Sequence, residues 1–260
     1  MATKQRRSVV FLRIGLIGWL VSLTMAFTII VFPISCGDDK GTGPDQPITV
    51  TDIDGNVYQT VTIGDNIWMA ENLKVTHYRN GDPVPNVIEL DDWAALNTGA
   101  YCDYDNDTAI SAVYGRLYNW YAIYDSRNIA PDGWHVATEE EWQLLEVSIG
   151  ISPATVDSFG VHGTDQGGKL KEADTTHWKS PNTGATNESG FTALPAGGRD
   201  VPADFLALYE CSFFWSSGEY GGSPSGQALY RTMWYDESYL SREPYDKKDG
   251  FSVRCVRDSI

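Results

Sequence analysis

Residues 131–146, PDGWHVATEEEWQLLE, constrain the fold more than any other stretch of the chain. Thr138 precedes Glu141 by three positions, the spacing of a capping box, in which the threonine oxygen accepts from the Glu141 amide and the glutamate reaches back to the Thr138 amide. Glu139, Glu140 and Glu141 then fill a first helical turn, where the positive end of the helix dipole favours carboxylates. Trp142 and Leu145 supply a buried stripe on the helix. Pro131-Asp132-Gly133 supplies a turn before it, so Trp134-His135-Val136 reads as a strand aimed into a sheet. His135 stands at no metal-ligand spacing from another histidine, and its place is in that strand. A turn, a strand and a capped helix in one short run require a body of mixed α and β structure.

That body does not begin at residue 1. Lys4, Arg6, Arg7 and Arg13 precede an uncharged apolar run over 14–34, the pattern of an export signal. "FPISC" follows, and resembles a lipobox cleaved just before a cysteine that receives lipid, here Cys36. An uncleaved anchor is the competing reading, because the run approaches the roughly 20 residues that span a bilayer. Both place everything after Cys36 outside the cytoplasmic membrane. Residues 37–47, GDDKGTGPDQP, carry no apolar side chain and read as a tether. The expected organisation is therefore a signal peptide over 1–35, a lipidated Cys36 with its tether over 36–47, and a single domain over 48–260. Cleavage would remove four basic residues and no acidic ones, taking the formal charge from −16 to −20. So acidic a chain is repelled by phosphate backbones, which argues against nucleic acid as a partner.

Within the body, Asp54-Gly55-Asn56 and Gly64-Asp65-Asn66 are turn signals around an alternating segment. Val57, Val61 and Ile63 share one face there, and Tyr58, Thr60 and Thr62 the other. Leu117, Trp120, Tyr121 and Tyr124 recur at the spacing of a short amphipathic helix. Beyond Ile149 the chain is rich in Gly, Ser, Thr and Asn with no long helical period, and reads as an irregular half of loops and short strands. Phe251, Val253 and Cys255 alternate with Ser252 and Arg254 as a terminal strand. These features predict an α+β domain with a small twisted antiparallel sheet, two short helices near 117–125 and 139–148, and a long-loop half over about 150–248.

Catalytic motifs fail on inspection. "GTDQGGKL" has the phosphate-loop glycines and Lys169, but Leu170 stands where a hydroxyl must meet magnesium. "GSPSG" has Pro224 where a nucleophile elbow needs serine. His77, His135, His162 and His177 form no zinc spacing. "DYDNDTA" places Asp103, Asp105 and Asp107 as an EF-hand begins, yet lacks its glycine and its terminal glutamate, which leaves them weak calcium candidates; no other cofactor is expected. Carboxylates that meet in space for glycoside hydrolysis stay open.

Exposed aromatics are the subtler signal. Trp215, Tyr220, Tyr230, Trp234 and Tyr235 lie among polar residues, a combination suited to sugar rings, whose C–H faces stack on π systems. Trp215, Tyr220, Arg231, Trp234 and Tyr235 are the ligand-binding candidates; an ordinary aromatic core is the competing reading. Cys102, Cys211 and Cys255 remain once Cys36 is assigned to lipid, enough for one intramolecular bridge at most.

In order along the chain, "TDIDGNVYQTVTIG", "WMAENL", "YGRLYNWYA", "PDGWHVATEEEW", "GGKLKE", "ATNESGFTALPAGGR", "FWSSGE" and "GFSVRCVRD" resemble the Fibrobacter succinogenes major paralogous domain, an extracellular bacterial module often carried by lipoproteins. The resemblance spans about residues 50–258. More distantly, "ATEEEW" is similar to a helix of the C-type-lectin fold in its formylglycine-generating variety, which implies a C-type-lectin-like architecture. The resemblance implies a disulfide between Cys102 and Cys255, with Cys211 a buried spare. It carries over no activity. The copper-binding cysteine pair of the oxidase relatives has no counterpart at matching spacing, and "REPYD" departs from the lectin calcium motif at Tyr245.

Three functions follow as expectations. The first is a membrane-anchored, non-catalytic binding module of the cell envelope that takes an extracellular glycan or protein ligand. The second is a structural or assembly protein of the envelope. The third is an enzyme, either a formylglycine-generating-type oxidase or a hydrolase.

Overall fold

The computed structural model describes residues 49–201, 205–221 and 226–259. The export segment, Cys36 and the tether lie outside the described residues, as does Pro224 of "GSPSG".

The chain opens on a three-stranded meander. β1 (Thr49–Thr51) turns into β2 (Val57–Ile63), and β2 into β3 (Asn66–Met69), each pair antiparallel. Asp52 shapes the first turn, its Oδ1 accepting from the amides of Asp54 and Asn56 at 3.0 and 2.9 Å. Gly55 adopts φ +84°, a conformation open to a residue without Cβ. The alternation of β2 is real, but both faces are used. Tyr58 is buried on one side and Ile63 on the other, because this sheet is covered on both faces.

The middle of the chain builds short pieces: α1 (Leu90–Ala94), β4 (Tyr101–Cys102), a 3-10 turn (Tyr104–Asn106), α2 (Thr108–Tyr114), β5 (Leu117–Tyr118) and α3 (Trp120–Tyr124). β6 (Trp134–Val136) and α4 (Glu139–Ser148) follow. Both bonds of the capping box form, Glu141 N to Thr138 Oγ1 at 3.2 Å and Thr138 N to Glu141 Oε2 at 2.9 Å. Trp142 buries its ring against Trp68, Phe191 and Phe214 with centroids 5.1, 5.6 and 5.8 Å away. Aromatic contacts of this kind contribute about 0.5–1.5 kcal/mol each beyond area burial.

The remainder contains β7 (Gly160–His162), α5 (Gln166–Leu170), β8 (Gly198–Arg199), β9 (Phe205–Leu206), β10 (Cys211–Glu219), β11 (Gln227–Trp234), β12 (Leu240–Asp246) and β13 (Cys255–Arg257). One antiparallel sheet has the order β1-β2-β3-β13-β6, so both ends of the domain share it. The other has the order β10-β11-β12-β7. Phe251, Val253 and Cys255 join one hydrophobic cluster, as their alternation predicts, together with Tyr58, Met69, Trp215 and Tyr230. Trp68, Trp142, Phe214, Met233 and Val256 form a second cluster on the other side.

Several expectations are corrected. The described residues hold five short helices, not two. Leu117 pairs in β5 instead of opening a helix, and α3 is a single turn that leaves Tyr124 exposed. The half over 150–248 carries the longest strands of the fold, because a ladder of backbone hydrogen bonds tolerates the serines, threonines and arginines that read as loop. The domain is β-rich, with curled antiparallel sheets and few helices. The disulfide is absent. Cys102, Cys211 and Cys255 are free and buried, with Cys102 packed against Trp93, Tyr104 and Leu117 while Cys255 lies in the cluster with Val136 and Val253.

Candidate functional site

The five aromatic and arginine candidates do not meet. β11 alternates, so Tyr230 and Trp234 face one cluster while Arg231 and Met233 face the other. Trp215 is fully buried, its Nε1–H donating to the Tyr118 carbonyl at 2.9 Å, and serves the core. Tyr220 is exposed and meets Phe159 edge to face at 5.4 Å. Tyr235 takes the Lys179 ammonium over its ring at 4.7 Å.

Arg231 belongs to a closed ion network under α4. Its Nε donates to Glu146 at 2.7 Å and its Nη1 to Glu139 at 2.6 Å. Glu139 also accepts from Arg242 at 2.6 Å, and His162 meets Glu146 at 3.1 Å. Arg231 and Glu146 have no solvent exposure, so this arrangement fastens helix to sheet and offers no surface to a ligand. Three other buried cations are likewise spent on structure. Lys171 donates to the carbonyls of Thr183, Trp234 and Glu237, with burial lowering its amine to about 8. Arg254, read from sequence as the polar face of a strand, is buried and donates to Asn72, Met69, Phe191 and Thr192. Arg199 donates to the carbonyls of Val87 and Ile88.

The weak calcium candidates are also occupied separately. Asp103 is buried 3.3 Å from Arg116, Asp105 sits at φ 51° in the 3-10 turn, and Asp107 caps α2 through the Ala109 amide. Among the described residues no three His, Cys, Asp or Glu side chains converge as a metal site would need. Burial pushes the Cys102 thiol up to about 12 and raises Cys211 and Cys255 as well. Cys211 is further tied to Thr232 Oγ1 at 2.8 Å.

What the fold does assemble is an aromatic hollow on the Trp234 face. It has a volume of about 170 Å³ and is lined by Asp200, Leu206, Phe213, Tyr230, Trp234, Tyr245 and Phe251. The β11–β12 register sets Tyr245 opposite Ala228, diagonal to Tyr230, with the two ring centroids 5.4 Å apart. Phe251 centres the group, 5.0 Å from Phe213, 5.2 Å from Tyr230 and 5.9 Å from Tyr245. Trp234 stands edge-on to Phe213 at 6.1 Å. Tyr245 is exposed and Trp234 and Asp200 are half-buried, so the hollow opens to solvent on that side.

A carboxyl pair flanks it. Asp200 and Asp249 both accept from the Val201 amide at 2.8 Å. Asp249 is fully buried, and that burial, with the neighbouring Asp200 and Asp246 charges, raises it to about 8. Burial thus favours the neutral form of Asp249. Of the two, only Asp200 lines the hollow, where it can accept from a polar ligand group while the rings cover its apolar face.

Of the sequence candidates, only Trp234 lines the hollow. Tyr230 is one of the exposed aromatics of the sequence, whereas Asp200, Phe213, Tyr245 and Phe251 are not among its ligand-binding candidates. Period-two alternation along residues 227–235 separates Trp234 and Tyr230 from Arg231 and Tyr235 without any structure. Asp200 closes the motif "ALPAGGRD" and Asp249 opens "DGF", but nothing local signals that these two ends meet; the bonds between the Arg199 and Gly250 backbones do that.

No curated protein and no solved structure matches the chain. The sequence model of the Fibrobacter succinogenes major domain matches residues 61–257, a span that runs from β2 to β13 and includes every residue of the hollow. On that match, the chain belongs to the Fibrobacter succinogenes major domain family.

Proposed function

We propose that this domain is a non-catalytic binding module that takes an extracellular glycan in the aromatic hollow, held outside the cytoplasmic membrane by a lipid anchor at Cys36. The observation that carries this reading is the hollow itself: four aromatic side chains from β10–β12, with Phe251 and Asp200, around a space of about 170 Å³. Indole and phenol rings stack on the C–H faces of a pyranose, and Asp200 and Tyr245 offer polar atoms to its hydroxyls. The charged groups that could otherwise suggest catalysis, Arg231, Glu139, Glu146 and His162, are engaged with one another away from the hollow. A C-type-lectin-like architecture fits this reading, with both domain ends in one sheet and binding residues on the second.

The full-length protein in detergent, applied to arrays of polysaccharides and cell-wall fractions, is the test. Binding by the wild type that falls at least tenfold in Trp234→Ala, with an unchanged near-UV circular dichroism spectrum, supports the reading. No binding on any fraction, or binding untouched by Trp234→Ala, overturns it.

A further inference from the structure

The charge at the hollow is unbalanced. Among the described residues Asp200 takes part in no ion pair, and behind it buried Asp249, whose burial favours the neutral acid, supplies no cation. The nearest cations in sequence point elsewhere. Arg199 spends its guanidinium on Val87 and Ile88, Lys247 pairs with Glu219, and Lys248 donates to the Ala94 carbonyl. The walls add to the demand for positive charge, because the face of an aromatic ring carries negative potential and attracts a cation within about 6 Å of its centroid. Tyr230, Trp234, Tyr245 and Phe251 all line this space. A hydrated metal ion fits poorly, since it needs several oxygen ligands and most of this lining is ring carbon.

Resting on the reading of the hollow as the binding site, we infer that the ligand group it takes is an organic ammonium, enclosed by the rings of Tyr230, Trp234, Tyr245 and Phe251 and counter-charged by Asp200 with Asp249 behind it. A primary ammonium has N–H donors for Asp200 and a hydrocarbon attachment for the rings. On a glycan this chemistry is that of a hexosamine with a free amine. A neutral sugar fills the same space but leaves Asp200 without a counter-charge.

Titration of the full-length protein with glucosamine, N-acetylglucosamine, glucose and n-butylammonium, read by tryptophan fluorescence, tests this. The expected result is that glucosamine binds at least tenfold more tightly than either neutral sugar, and that Asp200→Asn abolishes this preference without changing the circular dichroism spectrum. Binding of n-butylammonium as tight as that of glucosamine also supports the ammonium and identifies an alkyl amine as sufficient. Equal or tighter binding of the neutral sugars overturns the inference and leaves the glycan reading standing. Binding of none of the four probes overturns it too, and the polysaccharide arrays then decide the glycan reading separately.

Discussion

Arg231 and Trp234 lie three residues apart on β11 and face opposite sides of the same sheet: the guanidinium grips Glu139 and Glu146 of α4, and the indole lines the hollow. One strand therefore separates two tasks. Substitutions on the Arg231 side act on stability, and substitutions on the Trp234 side act on binding.

Arg231→Ala strips buried Glu146 of its guanidinium and leaves Glu139 to Arg242 alone, a loss of about 3–5 kcal/mol for a broken interior ion pair. Urea unfolding followed by tryptophan fluorescence will show a lowered midpoint. An effect below about 1 kcal/mol, the range of an exposed pair, would mean that the network carries little of the attachment of α4.

His135 gives the domain a pH-dependent clamp. Its Nε2 meets Glu141 at 2.8 Å and its Nδ1 meets Asp258 at 2.6 Å, so α4 and the chain end are held by one imidazolium. The hydrogen bond to Glu141, and then that to Asp258, raise the imidazole from 6.5 to about 9. Because the folded value is the higher one, this stabilisation is fully present below 6.5 and is lost as pH rises through about 9. Thermal unfolding across that window will show a decline in the wild type that is flattened in His135→Gln.

Thr138→Ala removes the side-chain acceptor of the capping box and will cost about 1 kcal/mol. Thr138→Ser keeps the hydroxyl and will restore most of it. Equal losses in the two variants would show that packing of Trp142, and not the cap, fixes where α4 begins.

The free thiols can be counted directly. Alkylation under denaturing conditions without reductant will label Cys102, Cys211 and Cys255 as fully as after reduction, whereas the native protein will resist labelling at all three because they are buried. A peptide joining Cys102 to Cys255 would contradict the arrangement described.

Much of this fold was legible in the sequence where the signal is local. Thr138 and Glu141 placed the start of α4, the two Gly-containing turns placed β1 to β3, and the alternation over 251–255 placed one face of the terminal segment. What escaped was non-local. Arg231 reads from sequence as a ligand-binding candidate and Arg254 as the polar face of a strand, because isolated charges almost never enter a core; their burial, like that of Lys171 and Glu146, depends on partners brought together by the fold. The four-stranded sheet was missed for a related reason: Ser212, Ser216, Thr232 and Ser241 are buried polar residues that imitate loop composition. The site was legible only at Trp234, since the hollow is formed by segments around residues 200, 213, 230, 245 and 251 that no local pattern joins.

A ligand in the hollow enters beside Trp234. This is tested most directly by following the indole Nε1–H resonances of isotopically labelled protein while adding a glycan that the arrays identify. The expected result is a shift at Trp234, with the buried indoles of Trp68, Trp93, Trp142 and Trp215 little changed. A bound glycan that leaves Trp234 unmoved would contradict it.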